Sequence, residues 1–465
     1  MGLSEPFLAA AKALLGPRGW SDDPERIAPK LVDWRGRWRG ETTFLALPGS
    51  VESVAGLVRL CADHRVPIVT QGGNTGLVGG QLPRGELLLS TERLRTIREI
   101  APADDCIVVE AGVTLLETQH AAAAADRLFP LSLAAEGSAT IGGAVSTNAG
   151  GIGVLRYGMM RDLVLGIEAV LPNGDVFQGL KRLRKDNTGY DLKQLLIGAE
   201  GTLGIVTAAS LKLFPAITGR ATALAGVTEV GRALALLDGI KAAGAVEAFE
   251  LISRCGVELA LRHVERIQDP LAQRHPWYVL VELSAPTAGE AQDTLQSFLG
   301  AALEDGTIAD AAIAQSEQQR AALWRLREEQ TTAQRAAGAS WSHDVSVPVS
   351  RIPALLERAT QAIGSAFPGA RPMPFGHVGD GNIHYNIVQP AGADPSSFTA
   401  GADAAATIVH DIVASLDGSI SAEHGLGRMK TATARAYLSP VETAAMRAVR
   451  HALDPLGIMN PAILF

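Results

Sequence analysis

An α+β chain of two parts is predicted by three observations. Small-residue stretches interrupt the first half, helical and strand periods alternate through the second, and two histidine-bearing segments lie near the end. Glycine is the compositional outlier, with 49 residues that crowd at 72–80, 137–158 and 198–204. A residue without Cβ lets backbone come close to a ligand, so these are the places to look for one. At 465 residues the chain exceeds one core, and two or more domains are expected. Charged residues make up 19% and hydrophobic residues 47%, an ordinary soluble globular balance. The net charge of −8 argues against nucleic acid as a partner, because phosphate binding needs clustered Lys and Arg. Cys61, Cys106 and Cys255 are scattered and form no CxxC, which fits a reducing compartment and disfavours thiolate metal ligation.

The first residues, Met1 to Leu15, read as a short helix without the basic and long apolar regions of a signal peptide. No run of about 18 apolar residues is present, so no membrane span is expected and the cytoplasm is the default. Val54, Leu57, Val58 and Cys61 have helical spacing, with Ser50 placed as the cap and Arg65 as the end. Val66 to Thr70 then reads as a short buried strand that runs into Gln71-Gly-Gly-Asn-Thr-Gly-Leu-Val-Gly-Gly80. A strand ending in such a loop exposes successive backbone N–H groups, a geometry that holds a diphosphate. A tight turn would use the same residues. The stretch is neither GxGxxG nor a P-loop, and Gly151-Ile-Gly153 lacks the third glycine. Gly137 to Gly143, Ser146 to Gly151, Arg156-Tyr-Gly158 and Gly198 to Val206 repeat the theme and favour a large flat ligand against backbone. Between them, Val164 to Leu171, an Asn173-Gly174 turn and Asp175 to Phe177 read as a hairpin.

Beyond Pro215 the predicted elements alternate. Val230 to Ile240, Ala288 to Leu303, a long helix from Gln315 to Ala336, Pro395 to Leu416 and Pro440 to Leu453 are helical by period. Ala245 to Ile252, Trp277 to Ser284 and Ser340 to Val349 are strands, a pattern that fits a ferredoxin-like α+β domain. Arg327 and Thr331, four apart, would share one helix face as a carboxylate clamp; a solvated charged face is the alternative.

Three of the ten histidines fall in two short segments, Phe375 to Asn386 and Ser421-Ala-Glu-His-Gly-Leu-Gly427. With Gly379 to Asn382 as a tight turn, His377 would lie directly opposite His384, at a cross-strand Cβ separation of about 5 Å. Those imidazoles and Glu423 suit one divalent ion, and His424 stands beside that ligand as a base. An ordinary polar hairpin would also use an Asp-Gly turn.

The strings QGGNTG, GSATIGG, TNAGG, RYG and LRKDNTGYDLKQLLIGAEGTLGI resemble the flavin-binding domain of the vanillyl-alcohol oxidase and p-cresol methylhydroxylase superfamily. With GHVGDGNIH and SAEHGLG, the chain from about residue 30 to 465 resembles the FAD-dependent D-2-hydroxy-acid dehydrogenases, first the D-2-hydroxyglutarate and then the D-lactate enzymes. The resemblance implies a two-part FAD-binding domain over 1–217, a substrate and metal domain over 218–425, and C-terminal helices and tail, 426–465, that pack back on the flavin domain. It implies non-covalent FAD, with Gly72, Gly73, Asn74, Thr75 and Gly76 at the pyrophosphate. Gly137, Ser138, Ile141, Gly142, Asn148, Gly150, Gly151 and Tyr157 would line the flavin and its ribityl chain. Glu200, Gly201 and Ile205 would meet the adenine side, and Asn460 the isoalloxazine.

The same resemblance implies oxidation of a D-2-hydroxy acid to a 2-keto acid by hydride transfer to flavin N5. His377, His384 and Glu423 would hold Zn²⁺ or Mn²⁺, His424 would take the hydroxyl proton, and Arg327, Thr331 and Asn386 would bind the substrate. Three departures stand out: Ala144 replaces a frequent Asn, the tail reads Asn-Pro-Ala-Ile rather than Asn-Pro-Gly-Lys, and Ser342 stands where a Lys usually meets a distal carboxylate. The last puts D-2-hydroxyglutarate beside D-lactate, or another smaller or more apolar acid, as the substrate. The electron acceptor (a quinone, a cytochrome or an electron-transfer flavoprotein) and a homodimer are left open.

Overall fold

The protein, described here by a computed structural model over residues 3–464, is α+β; Met1, Gly2 and Phe465 lie outside the described residues. The chain forms two compact units. One comprises Met1–Gly151, Tyr157–Ala216 and Glu423–Phe465, the other Ile152–Arg156 and Ile217–Ala422. The short segment Ile152–Arg156, left by the sequence reading in the first part, thus belongs to the second. Arg156 bonds there to Glu247 and Ser284.

In the first unit, Ser50 caps the helix Val51–His64 through a reciprocal bond with Ser53, and Val54, Leu57, Val58 and Cys61 form its buried face. That face covers a four-stranded sheet in the order Trp20–Ser21, Leu45–Ala46, Leu87–Ser90, Ile68–Gln71. Ile68 also bridges Met459, so the C-terminal tail extends this sheet at its edge. A second, antiparallel sheet runs Ile97–Ala101, Cys106–Glu110, Ile205–Lys212, Val164–Val170, Val176–Gly179. Its last hairpin turns at Gly174, whose φ of +80° suits glycine.

The second unit is one seven-stranded antiparallel sheet: Asp310–Ile313, Gly219–Val227, Trp277–Ala285, Ala245–Ser253, Arg371–Gly376, Asn382–Val388, Ser340–Ser346. Side-chain alternation divides its faces. Phe249, Leu251, Trp341, Val345, Ile383, Tyr385 and Ile387 pack under the helices Val230–Ala243, Ala288–Glu304, Ile352–Ala366 and Ala402–Ala414. Ala248, Ile252, Tyr278, Leu280, Met373 and Phe375 pack under Arg254–His263, Glu317–Glu328 and Gln330–Ala336. The polar residues Glu250, His384 and Asn386 fall on this second face by the same period of two.

Two predicted helices are broken. Pro395–Thr399 and Ala402–Ala414 part at Gly401, where a Cβ would come within 2.9 Å of the Trp341 ring. The expected long helix stops at Glu329, which has ψ of 6°. The Gln330 side-chain amide donates to the Leu326 carbonyl at 2.8 Å, the acceptor that an unbroken helix gives to backbone N–H. Arg327 and Thr331 therefore lie on successive helices, not on one helix face.

The helix Glu317–Glu328 is seated by a buried carboxylate. Glu282 accepts from Thr222 Oγ1 at 2.7 Å, Arg320 Nη1 at 2.9 Å and Trp324 Nε1 at 2.8 Å. Glu282→Ala removes the common acceptor and leaves a guanidinium facing the sheet, a change expected to lower stability by about 3 kcal/mol. Urea unfolding followed by tryptophan fluorescence measures it; a loss below about 0.5 kcal/mol, the size of an ordinary surface change, would contradict the role.

Candidate active site

The strand Ile68–Gln71 delivers the chain into the Gly72–Gly80 loop, whose shape is held by amide side chains. Gln71 Nε2 donates to the carbonyls of Lys30 at 2.9 Å and Gln81 at 3.2 Å. Gln81 Nε2 donates to Asn74 Oδ1 at 3.2 Å and to Gly76 O at 3.0 Å. Asn74, at φ +56°, sends its own amide to Val32 O at 2.9 Å. With the side chains so engaged, the backbone N–H groups from Gly72 to Gly76, Thr75 included, donate to no backbone carbonyl among the described residues. A row of such donors is an anion nest.

This loop lies against the one from Gly137 to Gly143. A Cβ on Gly73 would sit 1.7 Å from Ser138 O, and one on Gly72 would sit 2.2 Å from Thr140 Oγ1. Gly151 meets Ser132 O in the same way, at 2.1 Å. Gly137 and Gly201, in contrast, have nothing within 4 Å of an added Cβ. Close backbone packing beside open backbone surface and free amide donors fits a long diphosphate cofactor such as FAD.

Several expected flavin contacts have other duties. Ile141, Gly142 and Ile205 are buried in the protein's own packing, so a ligand would meet them through backbone rather than through a side chain. Asn148 ends the helix Ile141–Thr147 at φ +49° and accepts from Arg161 N at 2.8 Å. Buried Gly150 follows it, and the Tyr157 ring packs edge-on to Phe214 at 4.8 Å. Glu200 does not face outward: its carboxylate accepts from Leu426 N and Gly427 N, both at 2.9 Å, and burial raises its pKa. It clasps the return segment that begins with Glu423 and His424. Asn460 Nδ2 joins Gly80 O at 3.0 Å to Glu200 O at 2.9 Å, while its buried Oδ1 meets no donor among the described residues. That orphaned acceptor at the end of the glycine loop also suits a ligand donor.

The second unit gathers the other candidates around Glu250, which is buried on the strand Ala245–Ser253. Glu250 Oε2 accepts from Arg327 Nε at 2.7 Å, and Oε1 lies 2.6 Å from His377 Nδ1. Burial pushes this carboxyl up, but His377 and Arg327 overcome it and hold it at about 2. That charge pairing belongs to the doubly protonated ring; a neutral His377 whose one proton sits on Nδ1, facing Glu250, keeps the Nε2 lone pair that a metal ligand needs. The His377 and His384 rings stand 5.6 Å apart at 77°, and each offers a ring nitrogen within 4.8 Å of the other's. His384 Nδ1 lies 3.7 Å from Asp344 Oδ1, which accepts from Asn382 Nδ2 at 2.9 Å. Burial pushes Asp380, in the same loop, up to about 6.

The two histidines meet by a different route from the one expected. His384 stands opposite Phe375, not His377. The chain leaves the ladder at Gly376, φ +154°, and His377 lies in the loop, where Asp380 N donates back to its carbonyl at 3.2 Å. Arg327 stacks over Phe375 at 4.9 Å, and Phe375 in turn meets His384 at 5.1 Å. Asn386 Nδ2 donates to Gln334 Oε1 at 2.6 Å, and Gln334 Nε2 to Ser340 Oγ at 2.8 Å and Ser342 Oγ at 3.0 Å. Ser342 and Asn386 are thus joined by a neutral network, and half-buried Thr331 lies one helical turn before Gln334. Glu423 and His424, whose ligand atoms lie within 4.8 Å of each other, follow directly on Ala422, the last residue of this unit.

Residues 42–179 match the FAD binding domain family, and residues 218–463 the C-terminal domain of FAD linked oxidases. The D-2-hydroxyglutarate dehydrogenase of Xanthomonas citri pv. viticola is 37% identical over 434 residues, 93% of this chain and 91% of the relative. The chain belongs to the FAD-dependent D-2-hydroxy-acid dehydrogenases. Other members of this family include the mitochondrial D-2-hydroxyglutarate dehydrogenase of Arabidopsis thaliana, 36% identical over 97% of this chain and 80% of its own. The D-2-hydroxyglutarate–pyruvate transhydrogenase of Saccharomyces cerevisiae is 34% identical, covering 95% and 90%. Among solved structures, substrate-bound p-cresol methylhydroxylase superposes with a TM-score of 0.76 at 18% identity, over 99% of this chain and 97% of that one. That likeness is one of fold. No helix among the described residues is long and apolar enough to cross a membrane.

Glu250, Asp344, Asn382 and Gln334 escaped the sequence reading. A signal existed for the first: a carboxylate within the otherwise apolar run Phe249–Ile252 must find partners. Gly73→Ala should yield folded protein that lacks the yellow cofactor, checked by absorbance and mass spectrometry of released FAD; full occupancy would refute the close-approach argument. A depressed carboxyl contributes stability in full above its ordinary 4.5, and loses it as pH falls toward about 2. The stability gap between wild type and Glu250→Gln should therefore narrow across that window in acid unfolding; a constant gap would contradict the assignment.

Proposed function

We propose that the protein oxidises a D-2-hydroxy acid to its 2-keto acid, with D-2-hydroxyglutarate, the compound in the relatives' names, as the lead substrate. The observation that carries the reading is the His377–His384 pair, with one Nδ1 committed to Glu250 and ring nitrogens close enough for one ion. Glu423 supplies the third ligand in this proposal. Two imidazoles and a carboxylate without thiolate suit Zn²⁺ or Mn²⁺. Of the carboxyl groups beside the two histidines, Glu250 is bonded to Arg327 and His377, and Asp344 lies 3.7 Å from His384 Nδ1, negative charge that a dication would help to balance.

When bound, FAD supplies the acceptor for the hydride from C2, and the divalent ion a Lewis acid that makes the 2-hydroxyl easier to deprotonate. His424 receives the hydroxyl proton as general base. Arg327, fixed through Nε and stacked on Phe375, offers its outer nitrogens to a substrate carboxylate, for which its planar fork is suited. Asn386, two residues beyond His384 on the same strand face, donates to the substrate carboxylate through the second N–H of its carboxamide, the first being given to Gln334. Thr331 is a further hydroxyl donor to the acid, and reoxidation falls to a quinone, a cytochrome or an electron-transfer flavoprotein.

One observation favours a second substrate. Ser342 is held in a neutral network by Gln334, with no cation bonded to it among the described residues, which suits D-lactate or another smaller or more apolar D-2-hydroxy acid. Anaerobic bleaching of the flavin by a panel of D- and L-2-hydroxy acids with charged, neutral and short tails ranks these readings. Bleaching by none, or by L-acids alone, would sink both. His424→Ala should keep bound FAD and slow reduction by about 10²–10⁴-fold. Chelation should stop bleaching and leave the flavin in place; reduction at the original rate would remove the metal from the proposal.

A further inference from the structure

We infer that Glu250 is a positioning residue that ties the His377 imidazole and the Arg327 guanidinium into one unit, so that metal affinity and substrate-anion binding depend on a single carboxylate. The inference rests on the reading above, in which His377 holds the ion and Arg327 meets the substrate. It goes further by linking the two. The strand Ala245–Ser253 lies within the sheet, hydrogen-bonded on one side to Trp277–Ala285 and on the other to Arg371–Gly376. Its ladder with the latter pairs Ile252 with Phe375 and Leu251 with Gly376, so the next positions in register are Glu250 and His377. Where backbone pairing ends, the side chains continue it, at 2.6 Å.

Each oxygen of Glu250 has one donor. Oε1 faces the imidazole and Oε2 faces Arg327 Nε at 2.7 Å, with only 1% of the Glu250 side chain exposed. An ordinary ion pair of helix to sheet would need only the guanidinium. Placing an imidazole on the second oxygen sets the ring's orientation and tautomer, which is how a carboxylate behind a ligating histidine acts. Arg327 is reached through Nε, so its outer fork is not consumed by this contact. Phe375 lies between Arg327 and His384, 4.9 Å from the guanidinium and 5.1 Å from the imidazole ring. Displacement of Glu250 would therefore move both ends of the site.

The test uses the full-length, FAD-loaded protein. Glu250→Gln keeps the shape but turns an amide N–H toward one of two donors. Competition with a metal indicator should show affinity for Zn²⁺ reduced by about 10–100-fold, together with a raised KM for the hydroxy acid. Arg327→Met should raise KM while Zn²⁺ affinity stays within about twofold of wild type, and Glu250→Asp should recover part of both losses. A metal-loaded, active wild type matched by Glu250→Gln in both measurements would overturn the inference alone. A wild type that holds no Zn²⁺ and is bleached by no 2-hydroxy acid would overturn the functional reading as well. Should the variant not fold, ¹⁵N shifts of labelled histidine in the wild-type protein decide: the inference requires His377 to carry its proton on Nδ1, and an Nε2–H tautomer refutes it.

Discussion

A buried carboxylate cannot stay charged inside a protein without donors, and that constraint organises the second unit. Glu250 and Glu282 lie on neighbouring strands of its sheet, Glu250 facing Leu280 and Glu282 facing Ala248. Both point to the face covered by the helix Glu317–Glu328, and that helix answers with Arg320, Trp324 and Arg327. Spacings of four and three residues put these three on one helix face. The helix is thus fixed by polar pairing at both ends of one stripe, and the Arg327 guanidinium, which shares Glu250 with His377, is held by the same device that seats the helix.

The first unit solves a different problem. A long, charged cofactor needs many donors, yet side chains large enough to supply them would fill the space it occupies. Backbone N–H groups avoid the conflict, provided that the loop has no Cβ where loops touch. At Gly72 and Gly73 the neighbouring loop already occupies the place a side chain would need. The side chains that remain, Gln71, Asn74 and Gln81, brace the loop through the carbonyls of Lys30, Val32 and Gly76, so that the amides of Gly72 to Gly76 donate to no backbone carbonyl among the described residues. Glu200 and Asn460 work in the same spirit, binding the return segment and the tail to the loop by main-chain contacts.

The two halves were legible in the sequence to different depths. The capped helix Val51–His64, the Asn173-Gly174 hairpin and the helix Pro440–Leu453 follow from local rules, because caps, turn residues and apolar period act within a few residues. The bonds of Glu200 to Leu426 and Gly427 were not legible in the sequence because these partners are more than two hundred positions away. The helix break at Glu329 was hidden because it depends on one glutamine side chain choosing a backbone acceptor.

From the sequence alone came the family, the glycine-loop cofactor domain and the histidine-bearing segments, since motifs of that length record chemistry directly. Tertiary structure decided how those residues serve it. Whether His377 faces His384 across a ladder or from a loop turns on the φ of Gly376, and what anchors His377 turns on a glutamate more than a hundred positions earlier. Local propensity fixes elements, but the tautomer of a ring and the direction of a guanidinium are set by whichever buried charge the fold brings beside them.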